Sequence, residues 1–337
     1  MRKILSKIFH WLIKLSILSN TVNYFIVKKY HKLNIENLKG EKIKTPWVCM
    51  NKFDIDTSVI YINQVYNDYI ENSGLKTENL IGKEILEIGP GENFGVALKF
   101  LASGARKVVC VDKFNSLLDN EKQFKVYSNL LSQFTSEERD LLKDVISLNS
   151  ENFSINENRL RFINNSVEQL VSYFEPQHFD FIISRAVLEH VYKIDEALKT
   201  MDVLLKKNGY MLHEVDFRDH GIFTNYNLHP LTMHEINEEK WNVMASNFGA
   251  PNRKMMGYYQ TFFHKNNYNY DTIIVKLHIT DEYLKLKQLS QKDISETLNL
   301  WINHRLTKRY WSNFESEMFI GAAFFSAQKQ NLINVIP

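Results

Sequence analysis

The stretch "KEILEIGPGENFG" (residues 83–95) carries Gly89, Gly91 and Gly95 within seven positions, in a chain that has only 12 glycines. A short apolar run precedes them, so they stand at a strand-to-helix turn. Backbone without side chains at such a turn lets a ligand lie against N–H groups. Spacing decides which ligand. A dinucleotide loop wants G-x-G-x-x-G, but Phe94 fills the third glycine's place and Gly95 comes one residue late. A phosphate loop needs Gly-Lys-Ser/Thr, which does not follow here. Glu87, at the end of the strand, would repel a pyrophosphate and suits a cationic or amine-bearing ligand. The next apolar run, "KVVCVD", ends in Asp112, 21 residues after Gly91. An acid at that place accepts hydrogen bonds from both hydroxyls of a ribose.

Outward from this turn the chain alternates strand and helix. "EILEIG" is followed by the helix "FGVALKFLAS", then "KVVCVD". A long polar insertion holds two helix-like pieces, the second with Thr135 and Glu138 at capping-box spacing, and an Asn/Ser-rich loop, "LNSENFSINENR". The strand "LRFIN" leads to a helix near residues 167–174, "FDFIIS" to the helix "IDEALKTMDVLLKK", closed by Asn208-Gly209, and "YMLHEVDF" is the fifth strand. Five short strands with intervening helices predict a parallel sheet covered on both faces. The late runs "TIIVKLHI" and "MFIGAAFFSA" are expected to complete it.

Glu87, the glycines and Asp112 come in order on these elements, and with "FDFIISRAVLEHV" behind them the chain resembles the class I S-adenosylmethionine-dependent methyltransferases over roughly residues 80–216. The resemblance implies a doubly wound α/β Rossmann-like sheet, mostly parallel with an antiparallel last strand, carrying helical insertions. It implies S-adenosylmethionine as cofactor. Glu87 would sit near the methionine amino group, with Gly89, Pro90 and Gly91 as the loop against which the cofactor lies, and Asp112 on the ribose. Ser184 and Arg185 would line the cofactor and substrate side, and His190 would follow on the next helix. The family's adenine-binding acid is missing. Asn165 in "INNSVEQL" stands in its place, flanked by Ser166.

Methyl transfer from a sulfonium is an in-line displacement, so the protein mainly positions the acceptor, and an alcohol acceptor benefits from a base. "LHEVDFRDHGIF", at the end of the fifth strand, concentrates His213, Glu214, Asp216, Arg218, Asp219 and His220. Alternation puts His213 and Glu214 on opposite faces. His220, past the strand, is the first candidate for a general base, oriented by Asp219, and His190 the second. Glu214, Asp216 and Asp219 would be the ligands of a metal-dependent variant, but they form no separated ligand set, and no metal is expected. Arg185 and Arg218 suit an anionic acceptor group. Further on, "HPLTMHEINEEKWNVMASNFGAPNRKMMGYYQTFF" resembles a segment of bacterial methyltransferases of cell-surface sugar pathways. That resemblance implies an acceptor-covering lid with Trp241, Asn247, Asn252 and Arg253 toward the substrate.

The chain has 337 residues and is 44% hydrophobic and 24% charged, the composition of a soluble globular protein. Cys49 and Cys110 cannot build a disulfide framework, which fits a reducing, cytoplasmic setting. Charge is uneven. Seven lysines and arginines precede the first acid, Glu36, leaving 34 basic against 39 acidic residues in the rest. An acidic body argues against nucleic acid as partner. In the arm, Lys3, Lys7, His10 and Lys14 form one polar stripe on a helix otherwise covered by apolar residues and Trp11. That pattern fits a helix lying in the interface of an anionic membrane, with peripheral contact at its inner face through residues 1–32; a helix docked on protein reads the same way. The expected organisation is an arm (1–35), a helical cap (36–80) and the catalytic domain (81–330) with insertions at 115–158 and 220–310. The expected acceptor is a hydroxyl of a glycan or a lipid-linked sugar intermediate. Alternatives are a small lipophilic acceptor of quinone or polyketide type, or an inactive module that recruits partners to the membrane.

Overall fold

The computed structural model describes residues 54–114, 117, 119–220, 233–234, 241, 250–277 and 320–330. The arm (1–35), Asn247 and most of the 220–310 insertion lie outside the described residues.

Five strands run parallel: β1 (Glu84–Ile88), β2 (Lys107–Asp112), β5 (Leu160–Asn164), β6 (Phe179–Arg185) and β7 (Leu205–Asp216). β9 (Ile320–Lys329) pairs antiparallel with both β7 and β8 (Tyr268–Leu277). The sheet order is β5-β2-β1-β6-β7-β9-β8. This is the doubly wound, mostly parallel sheet with an antiparallel last strand that the sequence predicts, and the two late apolar runs complete it. The order reverses between β1 and β6, so the crevice at the carboxyl ends of these two strands is the topological switch point, where open α/β sheets take their ligands.

Both faces of the sheet are buried, which is why β1 is buried at every position. One face presents Ile85, Val108, Cys110, Phe181 and Ile183 to α1 (Ile55–Ser73), α2 (Gly95–Ala102), α3 (Asn120–Ser132) and α4 (Ser136–Leu142). The other presents Leu86, Val109, Ile182 and Met211 to α5 (Ile194–Leu204), α6 (Met256–Lys265) and the 3₁₀ turn Val167–Ser172. Each large side chain so buried contributes about 1.5–3 kcal/mol. Helix ends follow their signals. Asp54 Oδ1 accepts from the Thr57 N–H at 2.7 Å, and Gly74 closes α1 in the left-handed region. Thr135 and Glu138 form the expected capping box on α4, at 3.2 and 2.8 Å.

Two expectations change. The Asn/Ser-rich loop contains a hairpin, β3 (Ile146–Asn149) with β4 (Asn152–Ile155). Its turn puts Ser150 and Glu151 at positive φ, a conformation usually announced by Asn-Gly, so the sequence hides it. The helix "IDEALKTMDVLLKK" ends at Leu204, and Asn208-Gly209 lies inside β7 instead of capping a helix. There the pairing of β6 with β7 shifts register between Phe179 and Phe181.

Gly209 sits where a Cβ would come within 2.8 Å of the Asp180 carbonyl oxygen and 3.0 Å of that of Lys206. Both are backbone atoms and cannot swing aside. Gly209→Ala is therefore expected to destabilise the domain by about 1–3 kcal/mol, read as a lowered midpoint of thermal unfolding. An unchanged midpoint would contradict the close packing of β6 on β7.

Candidate active site

The site is built at the carboxyl ends of β1, β2, β6 and β7. β1 leads into Gly89, Pro90 and Gly91, all half-buried. Gly89 (φ +72) donates its N–H to the Val111 carbonyl at 2.8 Å. A Cβ there would meet Val187 Cγ2 at 2.4 Å, whereas one on Gly91 (φ +73) would meet nothing within 4 Å. The two glycines thus serve different ends. Gly89 admits the turn that follows β6, and Gly91 borders open space. Phe94, in the place of a third glycine, is buried against Phe162, and its N–H donates to the Tyr127 hydroxyl at 3.0 Å.

Glu87 is buried on the same sheet face as Cys110, whose thiol donates to its Oε2 at 3.3 Å. Burial pushes the Glu87 carboxyl up to about 7, the thiol bond opposing this only in part. Asp112 Oδ1 accepts from the Phe114 N–H at 2.8 Å, and burial raises this carboxyl to about 6. Asn164, opposite Asp112 in the ladder, ties down its backbone by donating from Nδ2 to the Asp112 carbonyl at 2.8 Å. Asn165 Oδ1 already accepts from the Ser166 N–H at 2.8 Å, and its amide donates to the Tyr173 hydroxyl at 3.1 Å. Its oxygen keeps room for one more donor.

The turn after β6 brings in the rest. Ala186 takes φ +52, and a 3₁₀ turn, Leu188–His190, follows. His190 stands in this turn and not on the next helix, as the sequence suggests. The His190 ring packs edge-on against the His220 ring, with centroids 4.7 Å apart. Glu189, 1% exposed, lies beneath both: its Oε1 is 4.0 Å from His190 Nε2 and 3.9 Å from His220 Nε2. Burial holds the Glu189 carboxyl well above its ordinary range, with Asp216 adding to the effect. Burial also holds His220 below the ordinary imidazole value, against the pull of Asp216 and Asp219. Asp219 is itself buried beside His220. The sequence names His220 and His190 as separate base candidates, and the fold sets their rings side by side; it passes over Glu189, although that residue is written in the quoted "LEHV".

Other candidates are held by partners within the protein. Ser184 is fully buried and shares a hydrogen bond of 2.8 Å with His213 Nδ1. Burial pushes His213 down to about 3, a neutral ring. Arg185 pairs with Asp68 of α1 at 2.8 Å and Glu214 of β7 at 3.1 Å. Burial opposes its charge, yet Glu214 and Asp68 keep the guanidinium pKa above its ordinary value. Nothing in the local sequence announces Asp68, which is brought in by packing of α1. Arg218 Nε bonds both oxygens of Asp216, at 2.8 and 2.9 Å. Burial pulls Asp216 up, but Arg218 holds it below the usual carboxylate range. Two of the three acids considered as metal ligands, Glu214 and Asp216, are therefore matched to guanidinium groups. Asn252 donates from Nδ2 to the carbonyls of Leu188 and Val191, at 2.8 and 2.9 Å. Arg253 bonds the Met233 carbonyl at 2.9 Å and lies over the Trp241 ring, 4.8 Å from its centroid.

Because Glu87 binds its proton more tightly folded than unfolded, it stabilises the fold fully below about pH 4.5 and loses that contribution as pH rises through about 7. Ligand-free Glu87→Gln is expected to gain on the wild type by up to about 3 kcal/mol between pH 5 and pH 8. Denaturant unfolding at the two pH values measures this, and a constant difference would show that Glu87 is not buried in this way.

The model of one family, described as a methyltransferase domain, matches residues 63–271, more than half of the chain. No curated protein matches. Among solved structures the chain is similar to an S-adenosylmethionine-dependent methyltransferase from Mesorhizobium loti (11% identity, 82% of this chain and 100% of that one, TM-score 0.40). It is also similar to the YcgJ protein from Bacillus subtilis (14% identity, 77% and 99%, TM-score 0.40). A third is the phosphoethanolamine N-methyltransferase 2 of Haemonchus contortus in complex with S-adenosyl-L-methionine (15% identity, 82% and 57%, TM-score 0.40). On the family match and the doubly wound sheet, the chain belongs to the methyltransferase-domain family and is a methyltransferase dependent on S-adenosylmethionine.

Proposed function

We propose that the chain methylates a hydroxyl of a glycan, or of a lipid-linked sugar intermediate, at a membrane surface. One observation carries the methyl-transfer part of the reading: two acids of raised pKa, Glu87 and Asp112, stand at the ends of adjacent strands, near a glycine, Gly91, that borders open space, with an imidazole pair across the switch point. These residues fit the cofactor. A buried carboxylate short of donors at Glu87 suits an ammonium group, and one at Asp112 suits ribose hydroxyls. Asn165, with Ser166 beside it, offers its remaining acceptor site to an adenine amino group. Bound S-adenosylmethionine supplies a methyl group already activated on a sulfonium.

The residues of the chain then have three tasks. His220, kept neutral by burial, takes the proton of the acceptor hydroxyl. His190 packs edge-on against its ring, and Asp216 and Asp219 favour the imidazolium once formed. Arg185, Arg218, Asn252 and Arg253 shape the walls by holding Glu214, Asp216, the 188–191 turn and Trp241. The basic amphipathic pattern of residues 1–32 supports the membrane-surface part of the reading. Among the described residues no helix is long and apolar enough to cross a membrane.

Glu87→Ala and Asp112→Ala are each expected to weaken S-adenosylmethionine binding by roughly ten- to a hundredfold, the loss of about 1.5–3 kcal/mol from a charged hydrogen bond. Titration calorimetry reads this, and unchanged affinity in both refutes the site. His220→Ala is expected to lower turnover by about a hundredfold or more with cofactor affinity intact. Labelled methyl donor, supplied with an extract split into lipid, glycan and protein pools, should mark the glycan or lipid pool. Label only in protein would discard the acceptor class. Deleting residues 1–32 should shift the protein from the membrane fraction to the supernatant, and equal partitioning would remove the surface reading.

A further inference from the structure

We infer that Glu189, His190 and His220 form a binding site for a divalent transition-metal ion. Each offers one ligand atom, and the three atoms lie within 4.8 Å of one another. Two imidazoles and one carboxylate make a donor set suited to Mn²⁺, Fe²⁺, Co²⁺ or Zn²⁺, with positions left open for other ligands. Bonds of about 2.1 Å require donor atoms roughly 3.0–3.5 Å apart. The observed separations, 3.9 and 4.0 Å between the imidazole nitrogens and Glu189 Oε1 and within 4.8 Å across the set, are wider than this, so the side chains must close on the ion.

The second observation is independent of the cluster's shape. Glu189 is 1% exposed, and neither carboxylate oxygen has a hydrogen-bond partner within 3.5 Å among the described residues. The backbone N–H groups of Glu189 and Asp216 lean toward it and favour its charged form without matching that charge. The neighbouring guanidinium, Arg218, is committed to Asp216. A buried carboxylate left so is costly unless it is protonated or meets a cation. The two imidazoles beside it are groups that complete a metal site.

Turn geometry supports the same assignment. Glu189 and His190 are adjacent in the 3₁₀ turn, which Asn252 fixes from outside. His220 arrives from the end of β7 with φ +50, an uncommon backbone for a residue with a Cβ. Ion binding stands on these side chains alone. Its role rests on the hydroxyl reading above: an ion bound here would make an acceptor hydroxyl more acidic, and the proton that His220 takes in the ion-free protein would then pass to solvent water.

The full-length protein, stripped with chelator and dialysed, is titrated with Mn²⁺ while the spectrum of free Mn²⁺ is followed by electron paramagnetic resonance. S-adenosylmethionine binding is measured on the same samples by calorimetry. One ion per chain is expected, with affinity about tenfold or more weaker in Glu189→Gln and in His190→Ala, and with cofactor binding unchanged in both. Co²⁺ is expected to give visible absorption bands that are lost in His220→Ala. Absence of ion binding in a protein that still binds S-adenosylmethionine overturns the metal site and leaves the cofactor reading standing. Loss of cofactor binding in the wild type instead counts against the proposed function. Retained ion affinity in the variants overturns the ligand assignment.

Discussion

The site depends on one close approach, the backbone of Gly89 against the side chain of Val187. At that point the order of the sheet reverses, and the loop after β1 must pass the turn after β6 with no room for a Cβ. A methyl group at Gly89 would meet the Val187 side chain at 2.4 Å, closer than carbon atoms tolerate, so that side chain or the turn that carries it would have to shift. The turn carries Leu188, Glu189 and His190. Gly89 is therefore constrained by its neighbour and by its positive φ, while Gly91 borders open space. A glycine that frees a backbone for a ligand and one that frees it for a neighbouring strand look alike in sequence. Only the contact separates them.

Charge is distributed around this crevice in two patterns. Glu214 and Asp216 are each matched to a guanidinium, Arg185 and Arg218, so their charges are settled within the protein. Glu87 and Glu189 are more deeply buried and have no such partner among the described residues. Both are consequently held above the ordinary carboxylate range by burial. On the readings proposed above, Glu87 meets the cofactor and Glu189 a cation, groups that are not part of the chain.

Much of this was legible in the sequence. Apolar runs bounded by Gly, Asn and Asp set β1, β2 and β5 to within a residue, since strands buried on both faces leave little ambiguity. The acids at the ends of β1 and β2 were legible because alternation and spacing fix where a strand stops. The hairpin after α4 was not, because Ser150-Glu151 adopts a turn without the residues that usually mark it. Nor was the start of β7, because Leu205–Lys207 reads as helix until its pairing with β6 pulls it straight. Asp68 was invisible for a different reason: its partner Arg185 is 117 positions away, and nothing local couples them. Glu189 lay in plain view, but a glutamate within "LEHV" reads as a solvated residue until the packing of the turn buries it.

The segment beyond β7 gains its meaning from the same turn. The Asn252 amide bonds the carbonyls of Leu188 and Val191, its N–H bonds the carbonyl of Glu189 at 2.6 Å, and the Tyr192 hydroxyl bonds the carbonyl of Ala250 at 3.0 Å. Trp241 donates to the Pro251 carbonyl at 3.0 Å and carries Arg253 on its face. These bonds tie the chain that the sequence suggests covers an acceptor to the backbone that carries Glu189 and His190. On the proposed function, an acceptor held against Asn252 or Arg253 would bear on the turn through these bonds, and the turn carries the His190 ring that packs against that of His220. On the same reading, recognition of the acceptor and placement of the two imidazoles would thus be coupled through three backbone carbonyls. A side chain reaching from a separate loop would lack that coupling, since its position would be set by its own rotamers and not by the turn.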